Sequence, residues 1–188
     1  GELMQNAYEP NKSSMAAIIG IDCNLVEKVI YQNNLKLQVA NDNSPLQVVV
    51  SGLRNDLLKS ETVFKFNGAK KFILLNVSAA FHSFLMNDVQ DEMINYIRNT
   101  KFNDSSISII SNYTGKVCKE KKDIIKNLSN QISNRVRWVE SIRTLEKLNI
   151  LNIVEIGPGK VLSGLIKRTS NNFNIMNIET IDDIKKLI

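Results

Sequence analysis

Along the first part of the chain, apolar and polar positions change period in a regular order. The run MAAIIGI from Met15 predicts a strand. Behind a candidate N-cap, Asp22, the residues Leu25, Val26, Val29 and Ile30 then fall on one face of a helix. A short strand, KLQVA, precedes the turn formers NDNSP at 41–45, and LQVVVS follows directly. Two antiparallel strands joined by a loop are therefore expected. A second helix is expected over about 53–66, with Leu57, Leu58 and Phe64 inward, before the strand KFILLNV. The order βαββαβ is that of the split βαβ, ferredoxin-like unit, with both helices on one face of an antiparallel sheet.

Beyond Val77, helices and apolar strands alternate. Leu85, Val89, Met93 and Ile97 stand at intervals of four, one face of a helix ending near Arg98. ISIIS at 107–111 reads as a short buried strand closed by NYTG. Two amphipathic helices follow, the first carrying Ile124, Ile125, Leu128 and Ile132, the second Trp138, Ile142, Leu145 and Leu148. LNIVEI has the character of a parallel-sheet strand; it runs into GPGK and a helix with Val161, Leu162, Leu165 and Ile166. NFNIMNIE and a short helix close the chain. These strands are too few for a complete doubly wound sheet.

Composition narrows the class. With 188 residues, 43% hydrophobic and 23% charged, the chain can bury roughly 70% of its unfolded surface, and the composition excludes intrinsic disorder, collagen and coiled coil. No apolar run approaches the roughly 20 residues of a membrane span. Twenty-four Lys and Arg against nineteen Asp and Glu leave +5, which suits an acidic partner but falls short of a dedicated nucleic-acid binder. Cys23 and Cys118 have no close cysteine partner and no histidine cluster. Neither a disulfide framework nor a metal site is read from them, and a reducing cytosol is the default compartment. GELMQNAYEP lacks the features of a signal peptide, and a start on Gly1 without an initiator Met reads as that of a fragment.

One histidine simplifies the search for a base. His82 lies just beyond KFILLNV in VSAAFHSF, at a strand end, where α/β folds build sites. It is either a general base or a histidine merely hydrogen-bonded at a helix start. Ser78 and Ser83 flank it, yet no G-x-S-x-G elbow exposes a nucleophilic hydroxyl. GPGK at 157–160 can cradle an anion on backbone N–H groups, although a tight turn bent by Pro158 is the commoner outcome. RVRW at 135–138 sets two cations beside the only Trp, as an acidic docking patch or an ordinary helix start. Asn41 and Asn43 are turn formers, substrate amides, or both.

In series, GELMQNA, SMAAIIG, NDNSPLQVVVSG, VSAAFHSFLM, SNYTGK, NQISNRVRWVESI and VEIGPGKVLSGLIKR resemble the later part of malonyl-CoA:acyl-carrier-protein transacylases, in the family's order and over residues 1 to about 169. The resemblance implies an α/β fold. An α/β-hydrolase-like large domain, incomplete here, would take in 1–13 and 77–188, and a ferredoxin-like βαββαβ subdomain would be inserted over 14–76. It implies transfer of malonyl from coenzyme A to a serine and on to the phosphopantetheine thiol of acyl carrier protein, in fatty acid biosynthesis. No cofactor or metal is implied beyond the coenzyme A thioester as substrate.

The family's elbow serine, and the arginine that holds the malonyl carboxylate just before the GxLMQ segment, have no counterpart in this sequence. The chain alone is therefore expected to be inactive. His82 matches the catalytic histidine, and Gln131 the residue whose backbone carbonyl orients it. Phe81 resembles the bulky residue of malonyl-selective members; Met4 would line the acyl pocket and Asn43 would lie near its mouth. Arg135, Arg137, Lys160, Lys167 and Arg168 are the cations nearest the framing segments and would meet the acidic carrier protein. A monomer is expected at full length, in the cytoplasm or in the stroma or matrix of an organelle with a bacterial-type pathway, without nucleic-acid or membrane partners. Two other readings stand beside this one: the acyltransferase domain of a polyketide or multifunctional fatty-acid synthase, and a noncatalytic carrier-protein-binding module.

Overall fold

Six elements between Ser13 and Leu74 follow the order βαββαβ: β1 (Ser13–Ile19), α1 (Cys23–Gln32), β2 (Leu37–Ser44), β3 (Gln47–Leu53), α2 (Arg54–Phe66) and β4 (Lys71–Leu74). The computed structural model describes Leu3 and residues 12–185. The four strands form one antiparallel sheet in the order β2-β3-β1-β4. Side-chain alternation sorts its residues onto two faces. Ala16, Ile18, Leu37, Val39, Val48 and Val50 meet Val26 and Val29 of α1 and Leu57 and Phe64 of α2 on one side. Met15, Ala17, Ala40 and Val49 meet Leu75, Val77 and Phe81 on the other. Both faces are covered, which is why the strands read as continuous apolar runs.

The helices begin and pack for local reasons. Asp22 caps α1, its carboxylate accepting from the Leu25 N–H at 2.8 Å. In α2, Leu57, Ser60 and Phe64 form the buried stripe, three and seven residues apart. Leu58 stands about 100° round the helix from Leu57 and is 48% exposed, a correction to its expected inward place.

The expected loop at 41–45 is also corrected. β2 continues through Asn41, Asp42 and Asn43 to Ser44, leaving a two-residue turn at Pro45 and Leu46. Turn propensity is overridden because this edge of β2 has a partner distant in sequence: the Val136 N–H donates to the Ala40 carbonyl at 2.8 Å, and the Asp42 N–H donates to the Val136 carbonyl at 3.0 Å. Two bulges absorb the irregular register, one between Val39 and Asn41 and one between Asp42 and Ser44.

After β4 come a 3₁₀ turn (Phe84–Met86), α3 (Asn87–Arg98), β5 (Ile109–Ile110), β6 (Val117–Cys118), α4 (Lys121–Gln131) and α5 (Trp138–Lys147). β7 (Asn152–Ile156), α6 (Val161–Thr169), β8 (Asn174–Ile178) and α7 (Ile181–Lys185) complete the order. Val89 of α3 packs with Ala79, Met86 and Ile132, and Leu3, Phe81, Leu85 and Met93 close around them. ISIIS is not the buried strand expected. β5 pairs only with β6, across two residues, and Ile107 is 75% exposed, because so short a ladder has no second layer to cover it. β7 pairs with β8 in parallel, from Asn152↔Asn174 to Ile156↔Ile178, yet Val154 and Ile156 are 47% and 78% exposed. Among the described residues no helix is long and apolar enough to cross a membrane, and no three His, Cys, Asp or Glu gather as metal ligands.

Candidate active site

His82 sits in the turn between β4 and the 3₁₀ helix, with φ = +57°. A left-handed conformation costs a β-carbon residue about 1–3 kcal/mol, so the turn must be held from outside. Two buried hydroxyls of the sheet hold it, and a third within the turn closes it. Ser51 of β3 donates to the Phe81 carbonyl at 2.6 Å, Ser13 of β1 accepts from the Ala80 N–H at 3.2 Å, and Ser83 donates to the Ala80 carbonyl at 2.7 Å. The turn therefore rests on the sheet face away from the helices, and Phe81 packs into the clusters on both sides of it.

The ring of His82 meets the end of α4. Its Nδ1 lies 2.9 Å from the Gln131 carbonyl oxygen. A carbonyl only accepts, so Nδ1 carries the proton, and in the neutral ring the lone pair is on Nε2. The Gln131 side chain contributes as well, since its Nε2 donates to the Asn134 carbonyl at 3.0 Å, and the backbone of Asn134 also acts on the imidazole. Burial pushes the His82 pKa below its ordinary value of 6.5, outweighing the backbone bonds to Gln131 and Asn134 that raise it. The result is a half-buried imidazole that is neutral near pH 7, with one nitrogen engaged and the other able to accept a proton.

The other sequence candidates lie in different settings. Asn43 occupies the second bulge of β2. Met4 lies outside the described residues. Arg135 is largely buried and donates to Glu27 at 2.8 Å and to the Cys23 sulfur at 3.0 Å; Arg137 donates to Glu140 at 2.7 Å. Both cations of RVRW are thus engaged in tying α1 and α5 to the segment along β2. Cys23, half-buried and close to Asp42, has its pKa pushed up to about 12, chiefly by desolvation, so it stays a thiol. Lys160, Lys167 and Arg168 lie exposed at the two ends of α6, Arg168 donating to Gln47 at 2.8 Å.

The anion-cradle reading of GPGK is answered by acceptors from the chain itself: the Gly157 N–H donates to the Ile178 carbonyl at 3.0 Å and the Gly159 N–H to Glu179 at 3.3 Å. Glu155 accepts from the N–H groups of Leu162 and Ser163 at 2.9 and 2.8 Å and from the Ser163 hydroxyl at 2.5 Å. Those bonds draw its pKa below the ordinary value. The first turn of α6 is occupied, and GPGK is a turn.

Sequence reasoning singled out neither Ser51 nor Gln38. They are cross-strand neighbours in β3 and β2, and both bond to the His82 turn. The available signal was a polar residue at an inward phase of an otherwise apolar strand.

No protein-family model matches the chain. The malonyl CoA-acyl carrier protein transacylase of Bacillus subtilis (strain 168) is 35% identical over 192 residues, covering 100% of this chain and 60% of the relative. The crystal structure of an acyl carrier protein S-malonyltransferase from Vibrio cholerae superposes with a TM-score of 0.94 at 28% identity, over 100% of this chain and 62% of that one. A malonyl-transacylase in complex with a type II PKS acyl-carrier protein gives a TM-score of 0.92 at 28% identity, over 99% and 61%. The chain spans about three fifths of the length of the relatives it matches. In sequence and in α/β fold alike, it is similar along its length to proteins named malonyl CoA-acyl carrier protein transacylase or acyl carrier protein S-malonyltransferase.

Proposed function

We propose that this chain supplies the general-base part of an acyltransferase that moves malonyl from coenzyme A to the phosphopantetheine thiol of acyl carrier protein through a serine ester, in fatty acid biosynthesis. The observation that carries the reading is the His82–Gln131 pair, with Nδ1 fixed on a carbonyl and Nε2 unprotonated. Nε2 would take the serine proton as the oxygen attacks the malonyl thioester carbon; collapse breaks the C–S bond, and the same proton returns to the departing coenzyme A thiolate. The second half runs in reverse, the carrier thiol losing its proton to Nε2 and the serine regaining one. A carbonyl in place of a triad carboxylate holds the ring without adding a negative charge. The sequence has no G-x-S-x-G segment, so the nucleophile would come from outside these 188 residues.

The same reading takes 14–76 as a ferredoxin-like subdomain and 1–13 with 77–188 as part of an α/β-hydrolase-like domain, supported by the β2-β3-β1-β4 order and the parallel β7–β8 pair. Phe81 would narrow the acyl site against an α-methyl branch, with Asn43 near its mouth and Met4 lining it. Carrier docking would fall first to Lys160, Lys167 and Arg168, because Arg135 and Arg137 are already ion-paired. A carrier protein of polyketide synthesis is the second reading, favoured by the likeness to a malonyl-transacylase in complex with a type II PKS acyl-carrier protein.

The test is a chimera in which the chain replaces the matching three fifths of the Bacillus subtilis relative. It should transfer labelled malonyl, and His82→Ala should lower kcat by on the order of 10³-fold with little change in KM. A folded chimera that binds carrier protein but transfers nothing would overturn the enzyme reading in favour of a binding module.

A further inference from the structure

Two turns make the His82 centre: the one at 80–84 that carries the ring, and the one at 131–134 that supplies the carbonyl. No backbone–backbone hydrogen bond among the described residues joins them. Their separation nevertheless has to be held, because a ring displaced by an ångström loses both its carbonyl and its aim at a substrate.

Apart from the His82 ring itself, one side chain among the described residues bridges them by hydrogen bonds. Gln38, half-buried on β2, accepts from the Phe84 N–H through Oε1 at 2.9 Å and donates to the Ser133 carbonyl through Nε2 at 3.3 Å. Only this orientation of the amide satisfies both partners, since an N–H requires an acceptor and a carbonyl a donor. Phe84 follows His82 by two residues, and Ser133 follows Gln131 by two. The bridge therefore spans equivalent points on the two turns.

Its placement follows from the sheet. Gln38 shares a face with Ala40, the face on which Phe81 packs. Directly across from it is Ser51, which holds the Phe81 carbonyl, and across from Ser51 is Met15. One cross-strand row thus supports the histidine turn at two points, and the Gln38 member alone reaches the carbonyl turn as well. The outer edge of β2 is where residues 134–137 run, bonded through Val136.

We propose that Gln38 is a positioning residue for the reaction: it clamps the His82 turn to the Gln131 turn and so keeps Nδ1 protonated on the carbonyl and Nε2 free. The proposal rests on the reading of His82 as the base. It makes the four-stranded unit part of the catalytic geometry rather than a separate lobe.

The test uses the single histidine of the chain, which gives one set of imidazole resonances. Gln38→Met keeps the length and approximate volume of the side chain and removes both bonds. In this variant the Nδ1–H should exchange with solvent at least about tenfold faster and the neutral ring should populate the Nε2–H tautomer, while kcat in the chimera falls about tenfold and KM stays within about twofold. Gln38→Glu retains the acceptor for Phe84 but turns a carboxylate oxygen toward the Ser133 carbonyl, and should show the same loss. It carries the test if the Met variant does not fold. Unchanged amide resonances beyond the two turns separate a positioning effect from unfolding. A folded variant whose tautomer, exchange rate and kcat match wild type overturns the clamp while leaving His82 as base. A wild-type ring protonated on Nε2 overturns the reading of His82 instead.

Discussion

The four-stranded sheet and the β7–β8 pair are made of similar residues and end in opposite states. In the sheet, Val48 and Val50 face two helices while Ala17 and Val49 face the segment that leads to His82, and all are buried. In the pair, Val154, Ile156 and Met176 stand open, although parallel strands are normally covered on both faces. An apolar strand therefore signals the surface a segment is suited to lie against, and the cover is a separate matter. The sheet receives its cover from residues near in sequence. The Val154 and Ile156 face of β7 has no such cover among the described residues.

The sharpest test of this contrast is in the sheet. Phe64, fully buried between α2 and the strands and stacked on Phe72, should cost about 3–5 kcal/mol when changed to Ala, read by chemical denaturation. Arg135→Ala comes next, at about 1.5–3 kcal/mol, because it leaves Glu27 without its partner and opens the contact between α1 and the 134–137 segment. Arg137→Ala, at a guanidinium more exposed than that of Arg135 and paired only three residues along its own segment, should cost no more than about 1 kcal/mol. Equal effects from the two arginines would mean that the link between the sheet and that segment does not depend on Arg135.

A pH effect of intermediate size is tied to the same face of the sheet. His82 titrates below 6.5 in the folded chain, so the unfolded chain binds the proton first as pH falls. Stability should decline from about pH 6.5 downward until the depressed folded value is passed, and be unaffected by this group above that window. His82→Gln should flatten that limb of the stability profile; an unaltered profile would contradict the burial of the ring. Smallest of all, Ile156→Ser should change stability by no more than about 0.5 kcal/mol, since the side chain is already in solvent. A loss of several kcal/mol there would show that β7 is covered after all.

The sequence made local order legible. Apolar runs located the strands of the sheet and helical periodicity located α1 and α2, and Asp22 caps α1 as expected because a cap is a contact between residues three apart. What stayed hidden depends on partners far along the chain. NDNSP looks like a loop until Val136 pairs with it, and Arg135 looks like a free cation until Glu27, 108 residues away, meets it. His82 was found because it is the sole histidine, whereas Gln131 was reached through family resemblance alone, as a backbone carbonyl leaves no mark in residue type. Gln38 and Ser51 were missed because a polar residue in a strand reads as the solvent side.

The central claim is that His82 is held neutral, with its proton on Nδ1 facing the Gln131 carbonyl and its lone pair on Nε2. Nitrogen-15 resonances of the imidazole, followed through a pH titration of the wild-type chain, test it directly. The account predicts the Nδ1–H tautomer at pH 7 and a midpoint below 6.5. An Nε2–H tautomer, or a midpoint at or above 6.5, would contradict it.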